Sequence, residues 1–142
     1  MIAPAYVLRG ALIASVSVLA LTACSRPVAV QAPDASVECE PVLSASPIRL
    51  LGELQRETTP RNAAAIAWGD PPIVLACGID HEVPADAQVI TIEGIDWVAE
   101  ETDTGTVFTT LSLVPTIQLR VPANYRPEVD AVVEITPALP MR

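Results

Sequence analysis

The stretch Ala63-Ala-Ala-Ile-Ala-Trp-Gly-Asp-Pro-Pro-Ile-Val-Leu-Ala-Cys-Gly78 decides the fold class. Ala63–Trp68 reads as a short strand. Trp68-Gly69-Asp70-Pro71-Pro72 punctuates it, because Gly69 permits a positive φ and Pro71 pushes Asp70 toward extended geometry. Ile73–Cys77 is a continuous apolar run of strand length, suited to a central position buried on both faces, and Gly78 ends it.

Further strands follow on the carboxyl side. After the polar loop Asp80-His-Glu-Val-Pro-Ala-Asp86 comes Gln88–Ile92. Ile95, Trp97 and Ala99 alternate with Asp96 and Glu100, which marks a half-exposed strand. Glu101-Thr-Asp-Thr-Gly105 supplies turn residues and Thr106–Leu111 returns, so a hairpin is expected. Ile117, Leu119 and Val121 alternate with Gln118 and Arg120 in another one-faced strand. Pro127 opens a short helix in which Val129, Val132 and Val133 have helical spacing, stopped by Pro137.

On the amino side, Ser46-Pro47 is a helix-start signal, with Ile48, Leu50, Leu51 and Leu54 on one side at helical spacing. The pattern predicts a helix over about 47–57. The order helix, several strands, helix lacks regular βαβ alternation. It predicts an α+β domain over 38–142, with a small antiparallel or mixed β-sheet and two helices packed on one face.

The first 23 residues read as an export signal. A short region carrying Arg9 precedes the apolar run Gly10–Leu21, which is too short to span a bilayer as a helix. Leu21-Thr-Ala-Cys24 resembles a bacterial lipoprotein lipobox. That resemblance implies diacylglyceryl transfer to the Cys24 thiol, cleavage before it, and attachment to the membrane through the lipid. A plain secretory signal or an uncleaved anchor is the alternative. Residues 24–37 contain Pro27, Pro33 and small residues without a sustained period, and read as a flexible tether. At ~3 Å per residue it could hold the domain some 35–40 Å from the membrane.

The charge balance excludes several functions. Eight basic residues, all Arg, face 17 acids in 142 residues, a formal charge of −9. Arg9 departs with the signal, so seven Arg against 17 acids leave −10 on the rest. Such a field disfavours nucleic-acid binding and docking on anionic lipid. Without Lys, Schiff-base chemistry is excluded. No Gly-x-Ser-x-Gly elbow or Gly-rich phosphate loop is present, and no cofactor is called for.

Three cysteines are an odd number. With Cys24 assigned to lipid, Cys39 and Cys77 form an even pair in an exported domain, for which a disulfide is the natural reading. Buried free thiols or a reactive cysteine are the alternatives. A bridge would close a loop of about 39 residues, worth roughly 4 kcal/mol on the chain-entropy model.

Ala67-Trp-Gly-Asp-Pro-Pro-Ile-Val-Leu-Ala-Cys-Gly78 resembles the signature of an actinobacterial family known as domain of unknown function 3515. Gly94-Ile-Asp-Trp97, Phe108-Thr-Thr110 and Val121-Pro-Ala-Asn-Tyr125 are similar to its later blocks, in the same order. Ala76 departs from the family, which more often has Arg before its cysteine. The resemblance implies an exported, membrane-tethered envelope protein and brings no activity with it.

Two candidate sites stand out. Trp68, Gly69, Asp70, Pro71 and Pro72 form a stiff turn that could present Trp68 and Asp70 to a ligand or partner; the competing reading is a shape-fixing connection with Trp68 in the core. His81, between Asp80 and Glu82 with Asp86 close by, could serve a metal or an acid–base pair with Asp80, Asp70 or Asp96. A solvated acidic loop is the simpler account of it. Asp96, Glu100 and Asp103 line one hairpin, as a solvent face would. The leading expectation is a non-enzymatic, lipid-anchored envelope protein that binds or assists another envelope component. A small envelope enzyme or metal-dependent site at His81, and a purely structural surface module, are the rivals.

Overall fold

The computed structural model describes residues 25–140. The signal peptide expected over 1–23 and the lipidation expected at Cys24 lie outside them. In chain order the elements are β1 (Val28–Ala29), α1 (Glu40–Ala45), β2 (Arg49–Leu50), β3 (Glu53–Arg56), β4 (Thr58–Thr59), β5 (Ala65–Trp68), β6 (Ile73–Cys77), β7 (Gln88–Ile92), β8 (Ile95–Thr102), β9 (Gly105–Thr110), β10 (Ile117–Pro122) and α2 (Val129–Ile135). Eight strands form one sheet in the order β2-β3-β5-β6-β10-β9-β8-β7, and every neighbouring pair is antiparallel. This antiparallel sheet dominates and helices are few, so the α+β description holds only roughly.

Period-two patterning places the core on one face. Ala64, Trp68, Ile73, Leu75, Cys77, Ile117, Leu119, Val121, Phe108, Trp97 and Ile95 point the same way and are buried together. Val42 of α1 and Ala131, Val132 and Ile135 of α2 join the same cluster. Val133, expected on the buried side of α2, is instead exposed. Pro137 does not end the helical segment abruptly, because it starts a 3-10 turn over Thr136–Ala138.

The helix expected over 47–57 is a hairpin. Leu51 and Gly52 both have positive φ, and Leu50 pairs with Glu53 across them, the two-residue geometry whose twist matches the flanking strands. Gly52 supplies that conformation and is among the poorest helix formers. The apparent apolar stripe is no stripe, since Leu50 is fully buried while Ile48 is 73% and Leu54 52% exposed. The helix that does form, α1, lies earlier and carries Pro41 in its first turn.

Cys39, at the start of α1, is bonded to Cys77, at the end of β6, with Cα atoms 5.9 Å apart. The expected disulfide therefore ties the amino end of the domain to a central strand.

The stretch expected as a free tether is in part seated on the domain. β1 pairs in parallel with β4, and Val28 is only 7% exposed. The Val28 amide donates to Glu57 O at 2.8 Å, Val30 to Thr59 O at 3.0 Å, and Ala64 to Pro33 O at 2.7 Å. Asn62 Nδ2 donates to Asp34 Oδ1 at 2.8 Å. Backbone hydrogen bonding needs no apolar pattern, so low-complexity composition hides this docking.

Candidate functional site

The Trp68–Pro72 turn joins β5 to β6 and is stapled from three sides. Trp68 is fully buried in the core, and its Nε1 donates to Pro47 O at 2.8 Å. Gly69 has φ +71°, and a Cβ there would clash with the Tyr125 hydroxyl and lie 2.8 Å from Glu53 Cγ. Only glycine suits both the backbone and the space. The Gly69 carbonyl accepts Arg56 Nη1 at 2.8 Å, and Pro71 O accepts the Tyr125 hydroxyl at 2.8 Å.

The turn therefore leaves Asp70 exposed and Pro71 and Pro72 half-buried, and keeps Trp68 in the core. The Asp70 side chain is 89% exposed, with Oδ1 3.8 Å from Arg56 Nη1. Burial, followed by the Glu53 carboxylate, pushes the Tyr125 hydroxyl above its usual value of 10.0.

Pro71 and Pro72 form one wall of a cleft of about 710 Å³. Its opposite wall is the β8–β9 turn, Thr102–Thr106, and its floor includes Val74, Val107 and Arg120. Two regions far apart in sequence, the stiff turn and the Glu101–Gly105 turn, thus share one concavity. Gly105 makes this possible. A side chain there would collide with Val121 O and sit 2.8 Å from Pro122 Cα, and the Ala123 amide donates to Thr104 O at 3.0 Å.

Arg120 belongs to no motif, and the alternation of β10 marks it only as an outward strand residue. Its Nε donates to Gln118 Oε1 at 3.1 Å, and Gln118 Nε2 donates to Thr109 Oγ1 at 3.3 Å. Gln118 is 5% exposed, so the face opposite the main core is not simply solvent. Ala76 lies on that face in register with Gln118.

His81 meets neither Asp70 nor Asp96. Its Nε2 lies 3.0 Å from Glu100 Oε2, off the N–H axis, so the contact is a pairing of polar groups and not a directed hydrogen bond. Asp96 accepts the Thr91 hydroxyl at 2.6 Å, and Asp70 faces Arg56. Among the described residues no three His, Cys, Asp or Glu side chains converge as metal ligands. No helix among them is long and apolar enough to cross a membrane.

A second hollow of about 520 Å³ lies at the other end of the sheet, between Pro41, Ile95, Leu113 and Val114, with Glu38, Glu93 and Asp96 among its lining residues. It has acids and no cation, whereas the Pro71–Arg120 cleft has a cation held by a buried amide.

The model of the family described as protein of unknown function (DUF3515) matches residues 3–140 of the chain. No curated protein and no solved structure matches it.

Proposed function

The chain belongs to the DUF3515 family, and from that premise we propose that it is an exported, lipid-anchored envelope protein. Its domain binds or assists another envelope component and carries out no chemistry. The cleft between Pro71-Pro72 and Thr102–Thr106 carries this reading: two turns far apart in sequence converge on a concavity of ligand size. The Cys39–Cys77 disulfide supports an oxidising, exported location. Lipid on Cys24 would provide the anchor, two acyl chains sufficing where one is marginal.

Crosslinking in cells from photoreactive residues at positions 70 and 103 tests the binding reading. A specific envelope adduct from both positions is expected, and no adduct above the level obtained from a distant exposed site such as Val133 would overturn it. The anchor has its own test. A Cys24→Ser protein should leave the membrane fraction or remain unprocessed, and normal processing with membrane retention would refute lipidation.

A further inference from the structure

We propose that the Pro71–Arg120 cleft is a carboxylate-binding site in which the Arg120 guanidinium recognises the anion. The proposal rests on the binding reading above and adds the chemistry of what is bound. Arg120 lies in β10 in register with Val74 of β6 and Val107 of β9, and all three line the cleft.

Gln118 and Thr109 fix how this side chain is presented. A guanidinium has five N–H donors; with Nε engaged by the buried Gln118 amide, about four on the two Nη atoms remain for a ligand. Gln118 is held in turn by Thr109, which is also buried. Such a fork is oriented before any ligand arrives, which lowers the ordering cost of binding. Arg56, Arg61 and Arg126 each face a carboxylate. Arg120 forms no ion pair among the described residues, although acids outnumber bases 17 to 8 in the chain.

The surroundings choose among anions. A planar carboxylate matches the guanidinium fork with two parallel hydrogen bonds. A phosphate approaches two negative charges near neutral pH, and the protein's net −9, with Asp103 on the cleft wall, repels a dianion more than a monoanion. Pro71, Pro72, Val121 and Pro122 provide apolar wall, and Thr104 and Asn124 add polar groups. The ligand this suits has a short apolar body ending in a carboxylate, supplied by a small branched acid or by the carboxyl end of a peptide.

The test is NMR titration of the isotope-labelled full chain in detergent micelles. The probes are isovalerate, acetyl-Val-Ala-Val with a free carboxyl end, the same peptide amidated, and inorganic phosphate. Either free acid should shift the Arg120 Nε–H and Gln118 side-chain amide signals saturably, and which one binds tighter identifies the source. The amidated peptide should leave them unmoved. Arg120→Gln should weaken binding by about tenfold or more, and Arg120→Lys should restore only part of it. Phosphate binding tighter than both acids, unchanged binding by Arg120→Gln, or no saturable shift with either acid would overturn the proposal. Loss of carboxylate binding with envelope crosslinking intact would sink this chemistry alone and leave the binding reading standing.

Discussion

One face of the sheet carries Trp68, Ile73, Leu75, Trp97, Phe108 and Leu119; the other carries Ala65, Ala67, Ala76, Thr109 and Gln118 around its centre. Both are buried there, by different means. The first face buries large apolar side chains against α1, α2 and a disulfide, so its stability comes from apolar area and a covalent link. The second uses small residues and a polar chain from Thr109 through Gln118 to Arg120, and its end opens into the cleft. A face assembled this way gives up hydrophobic stabilisation and gains an oriented cation. On the binding reading, stability and recognition are thus divided between the two sides of the same strands.

Breaking the covalent link should have the largest effect. Replacing Cys39 and Cys77 together by Ala should lower unfolding stability by about 4 kcal/mol, read from urea unfolding. A loss below about 1 kcal/mol would mean that the first face does not depend on the bridge.

The two tryptophans sharpen the point within that face. Trp68 donates to Pro47 O, whereas Trp97 Nε1 is buried without a hydrogen-bond partner. Trp68→Phe should cost about 2–3 kcal/mol, since it leaves a void and frees a carbonyl, and Trp97→Phe should cost about 1 kcal/mol less. Equal losses in thermal unfolding would show that the indole hydrogen bond contributes nothing.

On the second face, Gln118→Met keeps most of the volume and removes the amide. Its cost should be about 1 kcal/mol, from the lost bonds to Thr109 and Arg120. The core on the opposite face should keep its near-ultraviolet circular dichroism, and a collapse of that signal would contradict the division.

Smallest is Tyr125→Phe, which removes the bond to Pro71 O at about 0.5–1 kcal/mol. Its pH signature is more telling. Because the folded hydroxyl titrates above its ordinary 10.0, the unfolded chain loses this proton first as pH rises. The stabilisation is fully present below pH 10 and is lost as pH rises through the folded-state value. Stability of the parent should therefore fall across that alkaline window, and the variant should lack that component of the slope.

Much of the sheet is legible in the sequence. Ile73–Cys77 was readable as a central strand because a short apolar run has few other uses, and the alternation in Ile95–Glu100 and Ile117–Val121 marks one buried face. The Leu51-Gly52 hairpin was not, since Ile48, Leu50, Leu51 and Leu54 fall on helical spacing by coincidence and only tertiary burial tells the periods apart. α1 contributes one fully buried side chain, Val42, too little for a pattern. At the site, the stiffness of Trp68–Pro72 could be read from Gly69 and its prolines. The cleft could not, because it needs β9 and β10 brought beside that turn. An Arg at an outward position of a legible strand, in an acidic chain, was the available sign of Arg120.

The seating of the amino-terminal segment bears on orientation as well as distance. Arg56 Nη2 holds the Arg26 carbonyl at 2.8 Å, and that same guanidinium holds the Gly69 carbonyl beside the cleft wall. On the lipid-anchor reading, only Ser25 lies between Cys24 and the clasped Arg26, a reach of roughly 7 Å over two residue steps. The lipid would then act as a mooring on a short lever arm, with one flank of the domain turned permanently toward the bilayer. A partner in the same membrane would meet the Pro71 side of the protein in a preset attitude, without a rotational search.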